Sequence, residues 1–159
     1  MIWFTSDTHY GHTNIIKYSN RPFQHIDEMN QTLVRYFNSR VQPNDTVYHL
    51  GDFALCHNKL RQDIAYALNG TIHLLLGNHD KQVTGEFAKR FTTISEYKEL
   101  KAGEHKIVLC HYPFRTWNKS HHGSFHIHGH CHGTLPNEGV RRLDVGVDPM
   151  NYYPVSVDE

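Results

Sequence analysis

The stretch Leu74-Leu75-Leu76-Gly77-Asn78-His79-Asp80 sets the terms on which this chain can fold. A short apolar run that stops on Gly reads as a buried strand ending at the edge of a sheet. Asn78, His79 and Asp80 then fall on the loop at the carboxyl end of that strand, where open α/β sheets gather their ligands. Taken alone, Gly-Asn-His-Asp also reads as a polar turn. The constraint comes from repetition, because four more β-prone runs end on ligand-type side chains.

Ile2-Trp3-Phe4-Thr5 runs into Ser6-Asp7-Thr8-His9, and Thr46-Val47-Tyr48-His49-Leu50 into Gly51-Asp52-Phe53. Lys106-Ile107-Val108-Leu109-Cys110 ends on His111, and Ser124-Phe125-His126-Ile127-His128 on Gly129-His130-Cys131-His132-Gly133. Asp and His two apart at a strand end can point one hard oxygen and one imidazole nitrogen at the same ion. A bland reading also exists for that pair, with Asp7 as a helix cap and His9 on the surface. His130 and His132 flank a small residue between two glycines, so two imidazoles can approach a site without crowding the backbone.

Between the strands, helical spacing predicts α-helices over Ile26–Ser39, Lys59–Leu68 and Thr84–Phe91, with Asn69-Gly70 as a stop for the second. A short helix over Asn14–Tyr18 follows Gly11-His12-Thr13, and its N-terminal amides are candidates to receive a phosphate oxygen. Arg21, in the turn Asn20-Arg21-Pro22-Phe23, is either a solvated loop charge or a phosphate clamp. Thr92–Leu100 reads as strand-rich, and Arg142–Val147 and Pro154–Val157 as closing strands. Phe114–Gly123, which holds Arg115, Trp117, His121 and His122, reads as a substrate-side loop or a plain surface loop.

At 159 residues the chain is expected to be one domain with a full core, and 16 basic against 16 acidic residues argue against an extended nucleic-acid surface or a membrane grip. Three cysteines without framework spacing point to a reducing, cytoplasmic setting. No apolar run approaches the roughly 18 residues needed to span a bilayer, and the first residues reach a carboxylate too soon for a signal peptide. Histidine, 15 of 159 residues, is the composition item that needs placing. It is the commonest metal ligand and a general acid or base near neutral pH.

In order, Asp7-Thr8-His9, Gly51-Asp52, Gly77-Asn78-His79-Asp80, His111 and Gly129-His130-Cys131-His132 resemble the motif series of the calcineurin-like metallophosphoesterases. The resemblance implies an α/β sandwich, two central mixed β-sheets flanked by helices, with the site at the strand ends. It also implies two divalent transition-metal ions, manganese first and iron, zinc or nickel as alternatives. By the same resemblance Asp7, His9, Asp52 and His132 hold the first ion. Asp52, Asn78, His111 and His130 hold the second, with Asp52 and a hydroxide nucleophile bridging. Two such cations roughly 3.5–4 Å apart activate a water and clamp the attacking and leaving oxygens of an in-line displacement. His79 is then the non-ligand histidine that protonates the leaving oxygen. Asp80 either orients the His79 ring or caps a helix. His12 is expected to contact a phosphate oxygen or support the site, and His126 and His128 to be structural.

The implied activity is hydrolysis of a phosphoester, a nucleotide among the candidates, by a monomer or homodimer. The Asp-Arg-Gly continuation of the protein phosphatases is absent after Gly51-Asp52, which argues against a phosphoprotein substrate. The chain leaves no length for a large cap, so an open site and a phosphodiester are favoured. A small-molecule phosphomonoesterase is the alternative, with Arg21 and Arg115 as its extra cations. A metal-bound interaction module without catalysis is the third reading.

Overall fold

A computed structural model describes residues 1–81, 83–136 and 138–159. Its first sheet is ordered β4-β3-β2-β1-β9, from β1 (Ile2–Thr5), β2 (Thr46–His49), β3 (Thr71–Leu75), β4 (Thr93–Ser95) and β9 (Val155–Ser156). The first four strands are parallel neighbours, and β9 runs antiparallel on β1. The second sheet is ordered β5-β6-β7-β8, from β5 (Tyr97–Ala102), β6 (His105–Cys110), β7 (Phe125–His128) and β8 (Arg142–Asp144). Here β5 and β6 form an antiparallel hairpin, while β6, β7 and β8 are parallel. Both sheets are mixed, as expected.

The helices α1 (Ile15–Tyr18), α2 (Ile26–Arg40), α3 (Asn58–Ala67) and α4 (Gly85–Lys89) all lie in the crossovers of the first sheet. Parallel neighbours need such crossovers, and the apolar stripe of each helix is what holds it against the sheet. Met29, Leu33 and Phe37 of α2 and Ile64 and Ala65 of α3 pack with Val47, Ile72 and Leu74 in one core. A second core lies between the sheets, where Phe4, Leu50 and Leu75 meet Ile107, Leu109 and Ile127. Each fully buried side chain of this kind contributes roughly 1.5–3 kcal/mol. Two histidines start helices: His25 accepts from the Glu28 amide at 3.2 Å and His57 from the Leu60 amide at 3.3 Å.

Among the described residues the α-helices all belong to the first sheet's crossovers. The outer face of the second is covered by the irregular segment after β6, where the Phe114 ring stacks on His126 at 4.8 Å and 6°. Trp117 also packs on His126, and its indole N–H donates to the Ser124 carbonyl at 3.2 Å. The aromatic side chains of the expected substrate-side loop therefore serve the sheet. Among the described residues no helix is long and apolar enough to cross a membrane.

Candidate metal centre

The loops after β1 and β2 run side by side beyond the sheet. The amides of Asp7, His9 and Tyr10 donate to the carbonyls of Gly51, Asp52 and Phe53 at 3.0, 3.0 and 2.9 Å. A bridge between Ser6 and Gly146, and a bond from the Gly129 amide to the His111 carbonyl at 3.0 Å, draw the second sheet's strand ends to the same point. Asp7, His9, Asp52, His130 and His132 take left-handed backbone angles, with φ between 49° and 69°. Such conformations cost on the order of 1–3 kcal/mol each in a non-glycine residue and persist only where the surroundings enforce them. Glycines supply the close approaches. A Cβ on Gly77 would lie 2.3 Å from Asp52 Oδ1, and one on Gly129 would lie 2.3 Å from Asp7 Oδ2.

Each carboxylate spends one oxygen on the frame and keeps the other for the site. Asp7 Oδ2 accepts from the His130 amide at 2.9 Å, leaving Oδ1 3.8 Å from His132 Nε2 and 4.0 Å from His9 Nε2. Asp52 Oδ1 accepts from the His79 amide at 2.9 Å, leaving Oδ2 3.6 Å from both His9 Nε2 and His111 Nε2. Asp7, His9 and His132 thus form one group, and Asp52, His111 and His130 a second, each with its ligand atoms within 4.8 Å of one another. Asn78 Oδ1 joins the second at 3.1 Å from His111 Nε2. Asp52 lies between the groups, in the position expected of a shared ligand.

The donor chemistry of these groups fits cations. Asp7 Oδ1 and His9 Nε2 are buried without a hydrogen-bond partner, an arrangement that costs free energy unless something charged satisfies them. His111 Nδ1 donates to the Leu50 carbonyl at 2.7 Å, so its Nε2 presents a lone pair toward the Asn78 oxygen. His132 Nδ1 likewise donates to Asp148 Oδ2 at 2.7 Å, freeing Nε2. Burial pushes the Asp7 carboxyl up to about 7 and the His9 imidazolium down to about 2. Burial also lowers His130, with the neighbouring His111 charge adding to it. Burial works against the His132 imidazolium too, but its bond to Asp148 and the Asp7 charge outweigh it and raise this group. A cage whose buried acid resists ionisation becomes favourable once a divalent cation shares it.

The structure changes three sequence expectations. Arg21 is no solvent-facing phosphate clamp: its side chain is fully buried, donates to both oxygens of Asp148 at 2.8 and 2.9 Å, and holds the Asp7 and Thr8 carbonyls. Asp80 neither orients the His79 ring nor caps a helix. Its carboxylate accepts from the amides of Asp52, Phe53 and Gly77 at 2.7, 3.0 and 2.8 Å and ties the loops after β2 and β3 together. The amides of Ile15 and Ile16 at the start of α1 donate to the His12 and Thr13 carbonyls, so they are not offered to a phosphate.

His79 is exposed, with its ring 5.4 Å from that of His9. His12 lies half-buried beside both, its Nδ1 3.4 Å from His9 Nδ1. Cys131 is a free thiol in neither group. His126 and His128 are buried, bonded to backbone carbonyls and outside both groups. Two supports escaped the sequence reading. Asp148 braces His132, and His49, bonded to Thr8 Oγ1 at 3.0 Å, braces the loop after β1. Asp148 lies in the turn after the buried run Val145-Gly146-Val147, beyond β8, and one carboxylate among several in such places does not announce its partner.

Residues 1–144 match the family model of the calcineurin-like phosphoesterase superfamily domain. An uncharacterized protein of Methanocaldococcus jannaschii is 39% identical over 165 residues, covering 99% of this chain and 87% of its own. The crystal structure of a protein of unknown function from Aquifex aeolicus superposes with a TM-score of 0.79 at 28% identity, covering 98% of this chain and 94% of that one. A novel archaeal phosphodiesterase shares the fold at a TM-score of 0.55 and 19% identity, over 91% of this chain and 82% of its own.

Proposed function

The chain belongs to the calcineurin-like phosphoesterase superfamily, and from that premise we propose that it is a cytoplasmic, single-domain phosphodiesterase dependent on two divalent metal ions, manganese first. The observation that carries this reading is the Asp52 carboxylate, whose free oxygen lies 3.6 Å from an imidazole nitrogen of each group. Asp7, His9, Asp52 and His132 would hold one ion, and Asp52, Asn78, His111 and His130 the other. Bound there, the pair would make water a nucleophile at neutral pH and neutralise charge on the phosphoryl oxygens.

The chain's own residues do the rest. Asp80 fixes the Gly51-Asp52-Phe53 turn, so Asp52 meets both groups without rearranging. Arg21 and Asp148 hold the first loop and His132 from behind. His79, exposed beside His9, donates an imidazolium proton to the leaving oxygen, and His12, at the same rim, contacts a non-bridging phosphate oxygen. Burial of Arg21 favours a diester over a monoester. The second negative charge of a monoester calls for another free cation, and of the two arginines proposed for that role only Arg115 is exposed.

The test is hydrolysis of bis(4-nitrophenyl) phosphate and 4-nitrophenyl phosphate by metal-stripped protein resupplied with Mn²⁺. Metal-dependent turnover that prefers the diester is expected, with His79→Ala lowering kcat by roughly 10²–10⁴-fold. Preference for the monoester would reassign the substrate class. Absence of turnover on both, with Mn²⁺ bound, would refute the hydrolase reading.

A further inference from the structure

We propose that the open groove running from Gly77 past Tyr112 to Tyr97 is a subsite for a nucleobase, which makes the substrate a nucleotide-type phosphodiester; this inference rests on the phosphoesterase reading above. The groove encloses about 510 Å³, within the range of small-ligand sites. It adjoins the metal centre directly. Gly77 precedes Asn78, and the Tyr112 ring stands 5.0 Å from the His111 ring and 4.9 Å from the His130 ring. Another groove, of about 520 Å³, opens between the sheets where β6 and β7 begin, at the far end from the metal centre.

The walls present aromatic rings that no core claims. Tyr97 and Tyr112 are each 43% exposed, so their rings present apolar surface to solvent. Phe114, which also lines the groove, stacks on His126 and faces Tyr97 at 6.3 Å and 27°, so the Tyr97 ring leans on a fixed neighbour. Rings fixed in this way offer stacking surface at little entropic cost to a flat partner. The groove also carries two exposed charges, Lys81 and Glu96. A carboxylate accepts from the exocyclic amine or ring N–H of a base, and an ammonium donates to its carbonyls or to a phosphate. With charge balanced over the whole chain, a single nucleotide unit rather than a long polyanion is the fitting occupant.

Calorimetric binding to the Mn²⁺-loaded protein tests this without requiring turnover, with adenosine 5′-monophosphate and ribose 5-phosphate as the probes. Stacking is expected to make the nucleotide bind roughly 5- to 150-fold more tightly. Tyr97→Ala, which touches neither ligand group, and Tyr112→Leu are each expected to collapse that ratio toward one. Equal binding of the two probes by the wild-type protein would overturn the subsite. So would a ratio that survives both substitutions, or an equal weakening of both probes, which would reduce the tyrosines to supports of the metal centre. If hydrolysis is found but the ratio is one, the subsite alone fails; a ratio that behaves as expected without hydrolysis leaves the subsite standing and sinks the enzyme.

Discussion

The two ligand groups are built differently although they share a carboxylate. Asp7, His9 and His132 are backed by charge, with Asp148 holding His132 on one side and the Arg21 guanidinium on the other, and Arg21 in turn gripping the loop that carries Asp7. Asp52, His111 and His130 have no arginine–carboxylate pair behind them among the described residues; the Asp52 and His130 amides rest on the Asp80 and Asp7 carboxylates. His111 leans on a backbone carbonyl, His130 is exposed and lies edge-on to the Tyr112 ring, and the segment beyond Tyr112 hangs on an uncharged His126. A brace of buried opposite charges is stiff and intolerant of losing one partner, whereas a neutral brace yields to a proton. The first group is thus the preformed one, and the second depends on the state of the sheet beneath it.

Arg21→Met puts the largest strain on this contrast. It leaves Asp148 buried with only His132 to compensate it, and breaking a buried pair in this way costs about 3–5 kcal/mol. Denaturant unfolding of the metal-free protein measures the loss. A loss near zero would mean that the pair braces nothing.

Acid should act on the other side. Burial lowers the His126 imidazolium to about 4, outweighing the Val108 and Tyr112 carbonyls, which favour the charged form; its Nδ1 donates to the Val108 carbonyl and its Nε2 accepts from the Phe114 amide. The neutral form is the one the fold holds. Its contribution is complete above the ordinary pKa of 6.5 and is lost as pH falls toward 4. Between pH 7.5 and 4.5 the wild-type metal-free protein is expected to lose on the order of 2–3 kcal/mol more than His126→Gln does. Fluorescence of Trp117, which packs on this histidine, should report loosening of the segment over the same range. Parallel pH curves for the two proteins would assign the acid sensitivity elsewhere.

Asp148→Asn reads the same brace through the metal, since it keeps the shape and removes the charge that faces both His132 and the buried Arg21. With two Mn²⁺ ions bound as proposed, one should weaken roughly 10–100-fold, the usual effect of losing a group that orients a ligand, while the other holds. Calorimetric metal titration resolves the two. Equal weakening would show that the groups are one unit and dissolve the comparison.

What was legible in the sequence follows from range. Each candidate ligand follows a run whose apolar residues are adjacent in the chain, so Asp7, Asp52, Asn78, His111 and His130 could be picked out locally as candidates. The helices were legible for the same reason, and α2 and α3 fall within a residue of expectation at either end. The braces were not legible. Arg21 meets Asp148 across 127 residues, and nothing nearby distinguishes a buried guanidinium from a solvated one. Asp80 misled because a carboxylate beside His79 looks like its partner, yet three backbone amides from two loops converge on it first. The excess of histidine likewise split by context, with His25 and His57 capping helices and His49 and His126 bonded inside the protein.

The left-handed angles at Asp7, His9, Asp52, His130 and His132 carry a consequence for the spelling of such sites. Two filters act on each of these positions. One asks for a side chain that can ligate, and the other for a residue that sits comfortably at positive φ. Aspartate, asparagine and histidine pass both, since they are the non-glycine types enriched in that region. Glutamate and cysteine ligate well but lack that preference. The permitted alphabet at these five positions, which follow three strands, is therefore narrower than metal chemistry alone would make it. A redesign that swaps the ligands for another metal must choose its letters from that short list or rebuild the loops beneath them.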